Sequence, residues 1–155
     1  MSAMHKLDLT IARLKLLLAD VGAKREALAA TRRQYQDQIA RLVTFAVHQD
    51  AGVDRTLAMM MEVDARLQEL VRQEHYLEAI RAKAQYELES LQLTKLIEET
   101  RAQLAVLRQR QREAEAHHQD GESNPAWLAG EIRRLEEVIA EASGAAAKSI
   151  SARRQ

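Results

Sequence analysis

The sequence predicts an all-α protein: an elongated antiparallel coiled-coil hairpin with a third, shorter helix folded back on its end. More than half of the 155 residues are Ala, Leu, Glu, Lys or Arg, a composition typical of long helices. Gly (five residues) and Pro (one residue) are scarce, so few turns are available. Apolar residues also recur every seven positions over the first third of the chain, which indicates a coiled coil.

The heptad pattern predicts the first helix over about residues 4–48. One series, at intervals of seven, comprises Leu7, Leu14, Val21, Leu28, Tyr35 and Leu42. A second series, four residues further on, comprises Ile11, Leu18, Arg25, Arg32, Ile39 and Ala46. A pattern held this long is sufficient to predict a coiled-coil helix.

A break at residues 49–53 predicts the turn of the hairpin. Gly52 can adopt a positive φ, and Asp54 is a candidate N-cap for a second helix over about residues 54–118. The second helix has its own apolar series, namely Met60, Val63, Leu67, Leu70, Glu74, Leu77, Arg81, Ala84, Leu88, Leu91 and Lys95. Folding the chain at Ala51 places the two helices' series face to face, and together we call them the hairpin seam.

Charges favour the same pairing, because the first helix is basic where the facing part of the second is acidic. In this register Arg33 lies near Glu69, and Arg41 lies near Glu62. Four charged residues also occupy the middle of the hairpin seam, namely Arg25, Arg32, Glu74 and Arg81. Two interpretations stay open: these polar layers fix the register, or they leave the middle of the hairpin hydrated and flexible.

Near residue 95 the apolar series of the second helix shifts by two positions, which indicates a change of partner. The shifted series comprises Leu93, Ile97, Thr100, Leu104, Leu107 and Gln111. After a polar loop, Asn124 as N-cap and Pro125 as first helical residue predict a third helix over about residues 125–143. Its apolar residues are Leu128, Ile132, Leu135, Ile139 and Ala142.

Antiparallel pairing of the third helix places Ile132 opposite Leu107. Ser143 and Gly144 are expected to end this helix. The sequence therefore predicts one coiled-coil domain over residues 1–143 and a flexible basic tail over residues 144–155.

The residues predict no enzyme, cofactor or metal site. Cys is absent, which excludes thiolate chemistry and Cys-type zinc sites. Glu115 and His118 have the spacing of one half of a di-iron site, but no second half occurs in the sequence. The sequence contains no Gly-rich phosphate loop. Neither His48 nor His75 has the nucleophile and orienting residue that a catalytic histidine needs.

The turn of the hairpin is the predicted partner-binding surface. Three consecutive Met residues subtend about 200° of helix, so they cannot all face the first helix, and Met suits an adaptable surface. An alternative is that a second copy of the chain, or a local cap by Phe45, covers the cluster. The predicted partner-binding residues are Phe45, Val47, Val53, Leu57, Met59, Met60 and Met61.

Apolar residues outside the hairpin seam predict self-association, most simply a homodimer with a four-helix layer. A two-helix coil buries only a narrow stripe, which leaves these further residues without cover. The predicted oligomer face comprises Leu9, Leu16, Leu17, Val71, Ile80, Leu93 and Leu96.

These observations predict a non-enzymatic scaffold or adaptor that docks partner proteins or self-assembles, in the cytoplasm and without membrane insertion. One alternative is a nucleic-acid-associated protein that uses the basic tail and an Arg-rich stretch of the second helix, although the net charge is zero. That stretch comprises Arg101, Arg108, Arg110 and Arg112. Another is a component of a bacterial secretion or export apparatus, whose stalk proteins have similarly long antiparallel hairpins, a likeness of shape alone.

Overall fold

The structure is a computed structural model that describes residues 2–49, 52–117 and 125–154. Within these ranges every residue except Ser2, Gln49 and Gly52 is helical, which confirms the all-α class. The three helices are α1 (Ala3–His48), α2 (Val53–His117) and α3 (Pro125–Arg154). The predicted limits of the first two helices are therefore correct to within one residue.

The helices form two compact units. One contains residues 13–86, which are most of α1 and the first half of α2. The other contains residues 1–12 and 87–155, which are the start of α1, the second half of α2 and all of α3.

In the unit of residues 13–86, α1 and α2 pair in antiparallel orientation. Arg25 Nη1 lies 3.0 Å from Glu78 Oε2, and Arg32 Nη1 lies 2.9 Å from Glu74 Oε2. As the residue number rises along α1, that of its partner on α2 falls, so the predicted hairpin is confirmed. The buried apolar side chains of this unit are Val21, Leu28, Val63 and Ala84.

Burial follows the predicted hairpin seam closely. Every member of the seam is buried or half-buried, with the one exception of Arg25. Most intervening residues are exposed, because only one stripe of each long helix can face a partner. The period of the apolar residues therefore predicts correctly which face of each helix is covered.

Glu62 and Glu69, predicted to lie near Arg41 and Arg33, form their ion pairs within α2, although Arg41 and Glu62 do line one common groove. Glu62 accepts from Arg66 at 3.1 Å, and Glu69 pairs with Arg72 at 3.3 Å, both within α2. Arginines three or four residues away on the same helix are already close to these carboxylates. A pair across the helices would require two long exposed side chains to be ordered for little gain.

In the other unit, α2 contacts both neighbours. Lys95 Nζ lies 2.7 Å from Asp8 Oδ1 at the start of α1. Further along α2, Arg108 Nη2 lies 2.9 Å from Glu136 Oε1 of α3. The predicted phase shift near residue 95 is confirmed by burial, since the shifted series is buried or half-buried throughout. The buried residues of this unit are Ile11, Leu88, Thr100, Leu104, Ala114, Leu128, Leu135 and Ala142.

The third helix is longer than predicted. It continues through Ser143 and Gly144 to Arg154, so most of the predicted tail is helical. The helix continues because strong helix formers, residues 145–147, follow Gly144. Its covered face also continues, with Ala146 and Ser149 half-buried beyond the buried Ala142.

The order of contacts between α2 and α3 confirms the predicted antiparallel pairing. Leu107 lines a groove with Glu131 and Leu135, and Leu104 lines another with Glu136 and Ile139. As the residue number falls along α2, that of its neighbours on α3 rises.

The starts of α2 and α3 differ in how far the predictions hold. Helix α2 begins at Val53, so Asp54 lies within the first turn and is not the N-cap. There a carboxylate still interacts favourably with the positive end of the helix dipole. The Gly52 carbonyl accepts hydrogen bonds from the Thr56 N–H and the Thr56 hydroxyl, both at 3.1 Å. Pro125 begins α3 as predicted, whereas Asn124 lies outside the described residues.

Candidate functional site

The hairpin tip, residues 41–48 of α1 and 53–66 of α2, carries a concentration of exposed apolar side chains. Val47 and Val53 are 75% and 82% exposed. Burying such aliphatic side chains would contribute roughly 1.5–3 kcal/mol each, so their exposure leaves a favourable contact unmade. Four further exposed apolar residues at the tip are Val43, Phe45, Leu57 and Met61.

One flank of the tip carries what we call the aliphatic groove. It is lined by Val43 and Val47 of α1 and by Val53 and Leu57 of α2, with Met60 at its floor near the seam. In each helix the two aliphatic residues are four positions apart and therefore share one face. Val43 is absent from the predicted site, although its spacing of four from Val47 is visible in the sequence.

The other flank carries a second groove, which we call the Phe45 groove. Its apolar part includes Phe45 of α1 and Met59 of α2, and Arg41, Glu62 and Arg66 border it. Glu62 and Arg66 form an ion pair at 3.1 Å. The two flanks therefore differ chemically in the part of the chain that the structure describes: charged side chains line the Phe45 groove, and none line the aliphatic groove.

The three consecutive methionines are distributed around α2. Met59 and Met60 are half-buried and line opposite grooves, whereas Met61 is exposed. This spread follows from the helical rotation of about 100° per residue. All seven predicted partner-binding residues therefore lie at the hairpin tip, namely the three methionines together with Phe45, Val47, Val53 and Leu57.

The predicted oligomer face is not a single surface. Leu9, Leu16, Leu17, Ile80, Val71 and Leu96 are exposed, but Leu93 is half-buried within its unit. Val71 and Ile80 are nine residues apart on α2, which places them on opposite sides of the helix. In the unit of residues 13–86, Leu16 and Leu17 are the neighbouring pair of exposed leucines on α1.

The charged residues of the seam form two groups in the unit of residues 13–86. Arg25 and Arg81 both contact Glu78. Arg32 binds Glu74 through Oε2, while Glu74 Oε1 is buried and has no hydrogen-bond partner. The hydrogen bonds from Arg81, together with the positive charges of Arg81 and Arg25, lower the pKa of Glu78.

The Arg-rich stretch of α2 is partly neutralised by neighbouring carboxylates. Arg101 lies 3.5 Å from Glu98, and Arg108 lies 2.9 Å from Glu136. On α3, Arg134 pairs with Glu131 at 2.9 Å. These pairs reduce the positive potential that a nucleic-acid backbone would meet.

The remaining candidate chemistry is sparse. Among the described residues, no group of three His, Asp or Glu side chains could hold a metal ion. His118, Asp120 and Glu122 of the predicted loop lie outside the described residues. None of the described helices combines the length and the apolar character needed to cross a membrane.

The geometry thus singles out the hairpin tip as the candidate functional site, since its apolar side chains are exposed, adjacent and arranged in two grooves. Comparison with protein-family models, with curated proteins and with solved structures found no match to this chain.

Proposed function

We propose that this chain is a non-enzymatic adaptor or scaffold, acting in the cytoplasm, whose hairpin tip docks partner proteins. The supporting observation is the exposed apolar surface at the tip, where Val47 and Val53 are the most exposed large apolar residues. An apolar cluster of this kind on a folded protein marks an interaction site.

The contrast with the rest of the hairpin supports this proposal. Away from the tip, the exposed large apolar residues of α1 and α2 are spread along the helices, among charged side chains that pair within one helix, as Glu69 does with Arg72. At the tip both helices present aliphatic, aromatic or thioether side chains on both flanks. Met side chains are flexible and polarisable, so this surface can adapt to a partner.

Site-specific photo-crosslinking tests the proposal. A photoreactive amino acid is placed at position 47 and, as a matched control, at Val71, which is also exposed on the hairpin but lies away from the tip. In extracts of the source organism, we expect discrete adducts with other proteins from position 47 and none with other proteins from position 71.

A second set of variants controls for folding. Replacement of Leu57 and Met61 by Ser and Gln should abolish the adducts from position 47 and leave the helical circular dichroism unchanged, because both side chains are exposed. Equal crosslinking from positions 47 and 71, or adducts that persist in the Ser and Gln variant, would contradict docking at the tip.

A second proposed function is self-association into a homodimer through α1. Leu16 is 66% exposed and lies beside the exposed Leu17 on a helix whose apolar seam residues are already covered. A neighbouring chain that covered this pair would remove apolar area from water.

Nucleic-acid binding is the less favoured alternative. Arg108 and Arg134 are engaged by carboxylates, and aromatic side chains for base stacking do not interleave with the Arg-rich stretch. A gel shift that persists near physiological salt would support this alternative instead.

A further inference from the structure

The two grooves of the hairpin tip differ in charge, which distinguishes the guests that each could hold. Among the described residues that line the aliphatic groove none is charged, and the one polar side chain, that of Thr56, donates its hydroxyl to the Gly52 carbonyl at 3.1 Å. A charged group of a guest would lose its hydration there and gain no partner. A guest of the aliphatic groove must therefore present an uncharged, apolar contact surface.

The spacing of the lining residues matches a helix. Val43 and Val47 are one turn apart on α1, and Val53 and Leu57 are one turn apart on α2. Two antiparallel helices with such ridges leave between them a furrow that accepts a third helix, whose apolar residues recur at every third and fourth position. An extended strand would leave its own backbone groups unpaired here, because neither helix offers a sheet edge.

The area of the groove is too small for a stable homodimer through this groove alone, whereas a weak, reversible complex with one helix does not require a standard-sized interface. The four aliphatic side chains are 52%, 75%, 82% and 53% exposed. If a fully exposed aliphatic side chain presents about 100 Å² of apolar surface, they offer on the order of 250 Å². A stable protein–protein interface takes about 800 Å² from each partner. A two-fold dimer through this groove alone would fall well short of that area.

We propose that the aliphatic groove binds one amphipathic helix of a partner protein, with an uncharged contact stripe, in a weak and reversible complex. This inference rests on the proposed docking function of the tip and specifies its flank and its guest. The Phe45 groove, which charged side chains border, is not part of this proposed helix-binding site.

Methyl NMR of the full chain tests the inference with defined probes. One probe is a synthetic amphipathic helical peptide with leucines at every third and fourth position, and the other is the same peptide with one stripe leucine replaced by glutamate. We expect saturable shifts of the Val43, Val47, Val53 and Leu57 methyl groups with the first peptide. The second should bind at least about tenfold more weakly.

Matched variants locate the site. Val47→Ser combined with Leu57→Ser should weaken peptide binding about tenfold or more. Val71→Ser should leave binding unchanged, because Val71 has the same 53% exposure as Leu57 but lies outside the groove. Weakening by Val71→Ser would overturn the inference.

Three further outcomes would also overturn it. Weakening by Phe45→Ser as strong as that by the groove variant would move the guest to the other flank, while docking at the tip survives. Co-sedimentation with phosphatidylcholine vesicles, abolished by the groove variant, would identify a lipid surface as the guest. Concentration-dependent shifts of the same methyl groups without peptide would identify a second copy. Loss of the position-47 crosslinks, by contrast, would contradict the proposed function itself.

Discussion

Leu128 shows what a single buried residue contributes in this chain. It is fully buried in the unit that contains α3, whereas its neighbour Trp127 is about half exposed. We expect Leu128→Ala to lower the free energy of unfolding by about 3 kcal/mol, from lost transfer energy and a cavity. Trp127→Ala, the control, should cost clearly less. Urea denaturation followed by circular dichroism measures both, and similar costs would contradict this assignment of the core.

Glu78 makes the stability of the hairpin depend on pH. The hydrogen bonds from Arg81 and the charges of Arg81 and Arg25 lower its pKa below the ordinary value of 4.5. A depressed pKa in the folded state stabilises the fold above the unfolded-state pKa, and this contribution is lost as pH falls through the folded-state pKa. We expect Glu78→Gln to reduce the acid-induced loss of stability between neutral pH and pH about 3. The control Glu26→Gln, which removes a carboxylate from α1, should keep more of the acid-induced loss of stability than Glu78→Gln does. A larger reduction of that loss by Glu26→Gln would count against the prediction.

The pair of Arg32 and Glu74 tests whether the polar layers stabilise the fold. The side chains are 39% and 23% exposed, and Glu74 Oε1 lacks a partner. Replacing a partly buried ion pair by two leucines usually preserves or raises stability. We expect Arg32→Leu with Glu74→Leu to raise the free energy of unfolding by about 1 kcal/mol, and Arg32→Leu alone to lower it. A double variant less stable than the wild type would show that the ion pair itself is stabilising.

At the scale of the helices, Gly144 distinguishes the predicted from the observed end of α3. If a glycine adopts the left-handed conformation just after a helix, replacing it by Ala destabilises the fold. Here the helix continues through Gly144, and an added Cβ would meet no atom within 4 Å. We therefore expect Gly144→Ala to stabilise the fold by about 0.5–1 kcal/mol. Gly22→Ala within α1 is the positive control, and destabilisation by Gly144→Ala in thermal unfolding would restore the predicted end at residue 143.

The comparison of sequence and structure separates what periodicity can predict from what it cannot. Heptad spacing predicts the covered faces of α1 and α2, from Leu7 to Lys95, because burial depends on helical phase. It does not predict how far α3 extends, because a glycine such as Gly144 can occur either within a helix or just after its end, and residue spacing does not distinguish the two positions.

The candidate site was predictable for a related reason. Its exposed residues, such as Val47 and Met61, lie off the seam, and the sequence alone shows that a two-helix coil cannot cover them. The division into two chemically different flanks was not predictable from composition. This division depends on which residues of the two helices become neighbours once the chain has turned, such as Val53 with Val43 and Glu62 with Phe45.

For the whole molecule, self-association is the property that the off-seam leucines predict. We expect sedimentation velocity at tens of micromolar to show a dimer, because Leu16 and Leu17 lose water contact when a second chain covers them. Leu16→Ser with Leu17→Ser should shift the chain to a monomer without loss of helicity. Val47→Ser, at the hairpin tip, should leave the dimer intact. A wild-type monomer at this concentration would contradict the prediction.

The short connection between α1 and α2 has a consequence for synthesis on the ribosome. Only four residues separate His48 from Val53, so contacts at the hairpin tip close the smallest loops in the chain and carry the lowest entropic cost. Translation proceeds at about 5–20 residues per second, and helix pairing is far faster. We therefore expect the two flanks of the tip to assemble while α3 is still untranslated, which force measurements on stalled nascent chains ending before Pro125 would detect. A partner that binds the tip can then engage a chain that is still being made.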